Sequence, residues 1–320
     1  MPVAPQPSSI IAAGGGDYTS ITAWHADIPA TLTQPQTANI TGSITESSGV
    51  PFTGFTTTST NKITIQGAAG ARHTGIAGSG ARVTGAAGVI RAQVDFFEID
   101  WLEILATDGN SALQVARSGG TNSLKVQHSI LKSSGSGGSV ITANDASTNY
   151  ILRNNIIYST GSTRTYDARG AGSLEVSNCI IYTQGGDLPF LCDSSAIVKN
   201  TYVGGATSEC FWSGSSPTGN NNAASDTTAT ARFSSSINSI AGSTAFTSVT
   251  SGSEDFRTKT GFTGLTDLGA TLAAVTDDCV GTSRPQGSAY DIGAFENSSG
   301  GGGSVFNPYF YRTHIARMAA

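Results

Sequence analysis

Four segments in the middle of the chain fall on one template: KVQHSIL (125–131), ILRNNIIY (151–158), LEVSNCIIY (174–182) and IVKNTYV (197–203). In each, an apolar residue is followed two positions on by Asn or His, and two further on by a second apolar residue. The first slot holds Val126, Leu152, Val176 and Val198. The polar slot holds His128, Asn154, Asn178 and Asn200, and the last slot holds Ile130, Ile156, Ile180 and Tyr202. The polar residue recurs after 26, 24 and 22 positions (128, 154, 178, 200). Period-two alternation inside a unit is that of a β-strand, and a repeat of roughly 20–50 residues marks stacked supersecondary units. An all-β fold with one unit per coil of a single-stranded, right-handed parallel β-helix satisfies both.

Stacking gives each slot a role. Strands of neighbouring coils lie about 4.8 Å apart, so equivalent side chains nearly touch. Val126, Leu152, Val176 and Val198 are predicted to form one internal column, and the second apolar slot is predicted to face inward too. Asn tolerates the left-handed backbone of a tight corner and carries both donors and an acceptor. His128, Asn154, Asn178 and Asn200 therefore read as a structural corner ladder bonded from rung to rung, with His128 as its end donor. About ten coils would make a rod on the order of 50 Å long.

Charged residues are only 12% of the chain, against 38% hydrophobic residues and 40 glycines. Disorder goes with high charge and few β-branched residues, whereas this chain is rich in Val, Ile and Thr. A net charge of −5 supplies no basic stripe for nucleic acid. No run of about 18 apolar residues offers a membrane span. The opening MPVAPQPSSIIAAGGG lacks the basic and apolar regions of a secretion signal. Cys179, Cys192, Cys210 and Cys279 form no CxxC pair, which removes zinc-ribbon and thioredoxin-like readings. Cys179 reads as a small core residue, and a Cys192–Cys210 bridge between adjacent coils stays open.

Residues 1–16 read as a flexible leader and 17–37 as an N-terminal cap. In the cap, Ile21, Trp24 and Ile28 predict a short amphipathic helix, with Thr19 or Ser20 as N-cap. It would cover the sticky edge of the first coil. The β-helix is placed at 38–296, with 220–236 as a polar surface excursion. A Gly/Ser linker follows at 297–304, then a C-terminal tail at 305–320. That tail carries Phe306, Tyr309, Phe310, Tyr311, Arg312 and Arg317 and no acid. Aromatics and Arg dominate interface energies, so the tail reads as a docking peptide.

Candidate chemistry is sparse. Asp145, Asp167 and Asp193 recur after 22 and 26 residues, and stacking would bring such acids to carboxyl-pair distances used in glycoside hydrolysis. Asp also caps turns, and the three are weak catalytic candidates. Glu98, Asp100 and Glu103 alternate so as to share one side of a sheet, beside Phe97 and Trp101. Asp277, Asp278 and Asp291 offer oxygen ligands in no loop motif, so no metal site is assigned. GSGARVTG (78–85) matches no phosphate-binding loop, and no cofactor is expected.

GDYTSITAW (16–24), GFTTTSTNKITIQGAAGARHTG (54–75), the NNII and SNCII units and RPQGSAYDIGAFE (284–296) together resemble pectate-lyase-like right-handed parallel β-helix proteins. The resemblance spans roughly 16–296 and points to bacteriophage virion or tail-spike proteins and bacterial surface proteins. It places DIGAFE at the last coil. It implies a structural virion component, a fibre, spike or decoration subunit located in the virus particle. Its partners would be capsid or tail proteins held through the tail, copies of itself (a trimer suits such fibres), or a host-surface glycan. The same family implies two alternatives, a polysaccharide lyase or hydrolase and a non-catalytic glycan adhesin, because fold does not carry activity.

Overall fold

A computed structural model describes residues 6–297, except 87, 116–121, 136, 144–147, 162–163, 169–171, 193–195, 213 and 215. The chain winds through three parallel sheets in a fixed order, forming a right-handed parallel β-helix. Sheet I has nine strands: Ser8–Ile11, Gln36–Ile40, Ile63–Gly67, Phe96–Asp100, Asn122–Gln127, Thr148–Arg153, Ser173–Ser177, Ala196–Lys199 and Thr218–Asn220. Sheet II has eight, beginning with Ser43–Glu46, Arg82–Gly85 and Glu103–Ala106, and sheet III has six, from Val50–Phe52 to Leu188–Cys192. Each strand pairs with its equivalent one coil on, so sheet I alone spans eight steps of about 4.8 Å, about 38 Å. The rod is shorter than ten coils would make it.

The reason lies at its two ends. Ser8–Ile11, placed in the leader by the sequence reading, is the first strand of sheet I and pairs with Thr37–Ile40. Its outer edge is closed by the chain's own return, with Asp17 N–H and Tyr18 N–H bonded to the Ile10 carbonyl and Ile10 N–H to the Asp17 carboxylate. Helix α1, Ile21–Asp27, then covers the coil with Ile21 and Trp24 buried, and Ser20 is its N-cap. Glu46 finishes the cap by accepting from Ile21 N–H, Thr22 N–H and the Thr22 hydroxyl. At the other end the coils stop at Ala223–Ala224, not at 296. The 220–236 stretch is no surface excursion, since it holds that last strand and the short helix α2 (Thr228–Arg232). Phe233 closes the core by packing edge-on to Phe211.

The internal column is continuous. Ile65, Ile99, Val126, Leu152, Val176 and Val198 are in register and buried. At the next corner Trp101, His128, Asn154, Asn178, Asn200 and Asn221 all have φ between 45° and 55°. One left-handed residue shifts the parity of the chain, so the residue after it points inward. Ser129, Asn155, Cys179, Thr201 and Asn222 therefore make the interior polar ladder. Asn155 accepts from Ser129 N–H and donates to the Val126 carbonyl, and Asn222 does the same to Thr201 and Val198.

That parity shift overturns one expectation. Ile130, Ile156, Ile180 and Tyr202 do not face the coil interior; Leu131, Ile157, Ile181 and Val203 do. The first four lie on the outer face of sheet II, in a second apolar core with Phe246, Phe256, Leu265, Ile292 and Phe295. Residues 246–297 form a strap that returns along this face after helix α3 (Gly242–Ala245). DIGAFE thus lies against the middle coils, where Gly293 N–H bonds the Asn200 carbonyl at 2.8 Å. The strap's apolar residues hide about 25 cal/mol per Å² of covered apolar surface.

Candidate functional site

The strap leaves part of sheet II open. A cleft of about 460 Å³ remains over its early coils, lined by Arg82, Glu103, Leu105 and Lys132 from the sheet, Ile76–Gly78 from one loop and Gly252–Asp255 from the strap. Register puts Arg82 beside Glu103 and Leu105 beside Lys132, with Tyr158 next to Lys132. Glu103 is 1% exposed and takes Gly78 N–H on one oxygen at 2.6 Å. Burial holds its pKa above the usual carboxylate range, against the pull of Gly78, Arg82 and Lys132. Glu254, also buried, is bound to Lys132 Nζ at 3.2 Å and accepts from Gly252 N–H. Lys132 stands 5.0 Å from the Tyr158 ring centroid. The Tyr158 hydroxyl is buried without a well-formed hydrogen bond, and burial, then Glu254 and Glu103, drive its pKa upward. Asp255 is neutralised by two bonds from Arg257.

Two carboxyl groups of unlike character thus flank one ammonium. Glu103 favours its protonated form, while Glu254 is matched to a cation. Sequence reading grouped Glu103 with Glu98 and Asp100 and missed Lys132 and Glu254. The structure separates the three acids: Glu98 and Asp100 sit on the outside of sheet I, Glu98 pairing with Lys62 at 2.8 Å, whereas Glu103 begins a strand of sheet II. The left-handed corner at Trp101 comes between them and breaks the alternation. Trp101 is stacked on His128 with centroids 4.5 Å apart and Arg72 over it, so it offers no open face to a sugar.

The three weak catalytic candidates do not form a column. Across sheet III the neighbours of Asp167 are Thr142 and Leu191; Asp145 and Asp193 lie outside the described residues. Asp167 is itself buried and ion-paired with Arg164 at 3.2 Å. Asp278 and Asp291 spend their oxygens on backbone N–H groups, at Val280, Thr282 and Glu296 for the first and Asp267 and Asn297 for the second. Among the described residues no group of three or more His, Cys, Asp or Glu is arranged to hold a metal. The four cysteines are free and buried.

The corner ladder binds the strap rather than only itself. Rung-to-rung contacts exist at Asn200 to Asn178 and Asn154 to His128, both 3.3 Å. The shorter bonds go outward: Asn154 to the Asp277 carbonyl (2.8 Å), Asn178 to Asp291 (3.1 Å), Asn200 to and from Ala270 (2.8 Å each) and Asn221 to Leu268 (2.7 Å). His128 does not end the stack, since Trp101 precedes it. It sits between Asp100 on Nδ1 (2.9 Å) and Asp277 on Nε2 (3.1 Å). Burial alone would lower its pKa, but the two carboxylates outweigh it and the shift is upward. The tail residues Phe306, Tyr309, Phe310, Tyr311, Arg312 and Arg317 lie outside the described residues.

The class the fold defines is a parallel β-helix with a return strap. No family model matches the chain, and no curated protein matches it. Among solved structures it is similar to the crystal structure of pectate lyase Pel9A, at 12% identity over 90% of this chain and 96% of that one, with a TM-score of 0.41. Among the described residues no helix is long and apolar enough to cross a membrane.

Proposed function

We propose that this chain is a rigid, non-catalytic structural unit of a bacteriophage particle, attached to other virion proteins through residues 305–320. One observation carries the reading: five successive corner rungs, from His128 to Asn221, are each hydrogen-bonded to a strap that covers the sheet behind them. Continuous lateral pairing makes the rod stiff, the strap ties coils that would otherwise touch only neighbours, and closed ends stop it from adding further strands. Those are properties of a load-bearing part. The linker and the aromatic, basic tail supply an attachment that need not disturb the body. Deleting 298–320 tests this. The body's thermal unfolding should be unchanged, and incorporation into particles should be lost in a complementation assay; truncated protein recovered in particles at the normal level defeats the reading.

A carbohydrate-active role is the second reading, favoured by the unlike carboxyl groups Glu103 and Glu254 in one cleft, the division of labour that glycosidic cleavage needs. Release of reducing ends from capsular or exopolysaccharide, abolished in Glu103→Gln and Glu254→Gln, would support it. No release from any polysaccharide tried would remove it.

A further inference from the structure

The cleft on sheet II has binding features whether or not chemistry occurs there. Its size lies within the roughly 300–1,000 Å³ of small-molecule sites. Ile76, Ala77 and Leu105 give it an apolar wall. Its charges balance: Arg82 and Lys132 face Glu103 and Glu254, while Asp255 is neutralised by Arg257. A cleft without net charge gives no advantage to an anion or a cation.

Two buried polar atoms lack partners. The Tyr158 hydroxyl makes no hydrogen bond, and the second oxygen of Glu103 accepts none from the described residues. An unmet buried group costs about 1–3 kcal/mol. A ligand with several hydroxyl groups meets both needs, because each hydroxyl donates and accepts. The C–H face of a pyranose ring suits the wall formed by Ile76, Ala77 and Leu105.

We propose that this cleft binds a neutral saccharide unit, held by hydroxyl contacts to Glu103, Lys132 and Arg82 and by the apolar wall. The inference shares its ligand class with the carbohydrate reading but requires no turnover, and it would give a structural rod a point of contact with a glycan.

Saturation-transfer NMR on the full chain tests it, with cellobiose, maltose and lactose at millimolar concentration and digalacturonic acid as the charged comparison. At least one neutral disaccharide should receive saturation, and the uronate should receive less. Ala77→Trp, which fills the cleft from a loop, should abolish transfer with an unchanged urea midpoint. Glu103→Gln, close in shape and less dependent on refolding, should weaken binding by about tenfold. Absence of transfer to all three neutral sugars overturns the proposal, as does undiminished binding by either variant. Binding without cleavage of any polysaccharide keeps this site and removes only the catalytic reading.

Discussion

Acidification from pH 7 to pH 5 should expose the burial of His73. The residue is 3% exposed, with Nε2 2.7 Å from the His128 carbonyl and Nδ1 accepting from Gly75 N–H at 3.2 Å. A carbonyl can only accept and an amide N–H can only donate, so these contacts fix a neutral ring with its proton on Nε2. Protonating Nδ1 would oppose two donors in a dry site. Burial is the main cause that holds the pKa down, at about 4. The unfolded chain takes up the same proton near 6.5. Because the folded pKa is depressed, this contribution to stability is complete above about 6.5 and is lost as pH falls toward 4. At pH 5 the unfolded state has gained a weight of about thirtyfold over the folded one, or about 2 kcal/mol. His128, whose pKa is raised, contributes fully below about 6.5 and loses its part only as pH rises through its folded value. The two histidines therefore act in separate windows. Urea unfolding of wild type and His73→Gln at pH 7 and pH 5 isolates the effect, since carboxylates common to both proteins cancel in the difference. Wild type should lose about 2 kcal/mol more than the variant. Equal losses would refute the neutral, buried ring.

Three further outcomes follow from the strap. Glu296→Ala should cost about 3–5 kcal/mol, because Arg284, fully buried opposite it at 2.6 Å, would keep its charge without a carboxylate; chemical unfolding measures it. Asn178→Ala should cost about 2–3 kcal/mol, combining left-handed strain with a lost bond to the strap, whereas Asn178→Gly should cost about 1 kcal/mol because only the bond is lost. Phe256→Ala should destabilise by about 3–5 kcal/mol and loosen the strap first. Hydrogen exchange would then quicken in 246–296 while the amides around Val126 and Val176 stay protected.

The repeat by itself determined the coil. Strand alternation, the apolar column at Val126, Leu152, Val176 and Val198 and the Asn corner are local signals, written anew every 22–26 residues and enforced by stacking on the next copy. The N-terminal helix was legible for the same reason, since its apolar spacing and Ser20 cap lie within a few residues of each other. What the pattern could not show was the direction of Ile130, Ile156, Ile180 and Tyr202. One left-handed residue moves them from inside to outside, and only the course of the chain after the last coil says what covers them. The strap has no period of its own. Its bonds join residues 70 to 149 positions apart, as from Ala270 to Asn200 and from Asp277 to His128. Long-range closure likewise set the cleft: Glu103 and Lys132 come from neighbouring coils, and Glu254 reaches them only when the strap folds back. The RPQGSAYDIGAFE sequence was visible as a motif, but its physical meaning, an Arg284–Glu296 pair sealed from water, belongs to the tertiary structure alone.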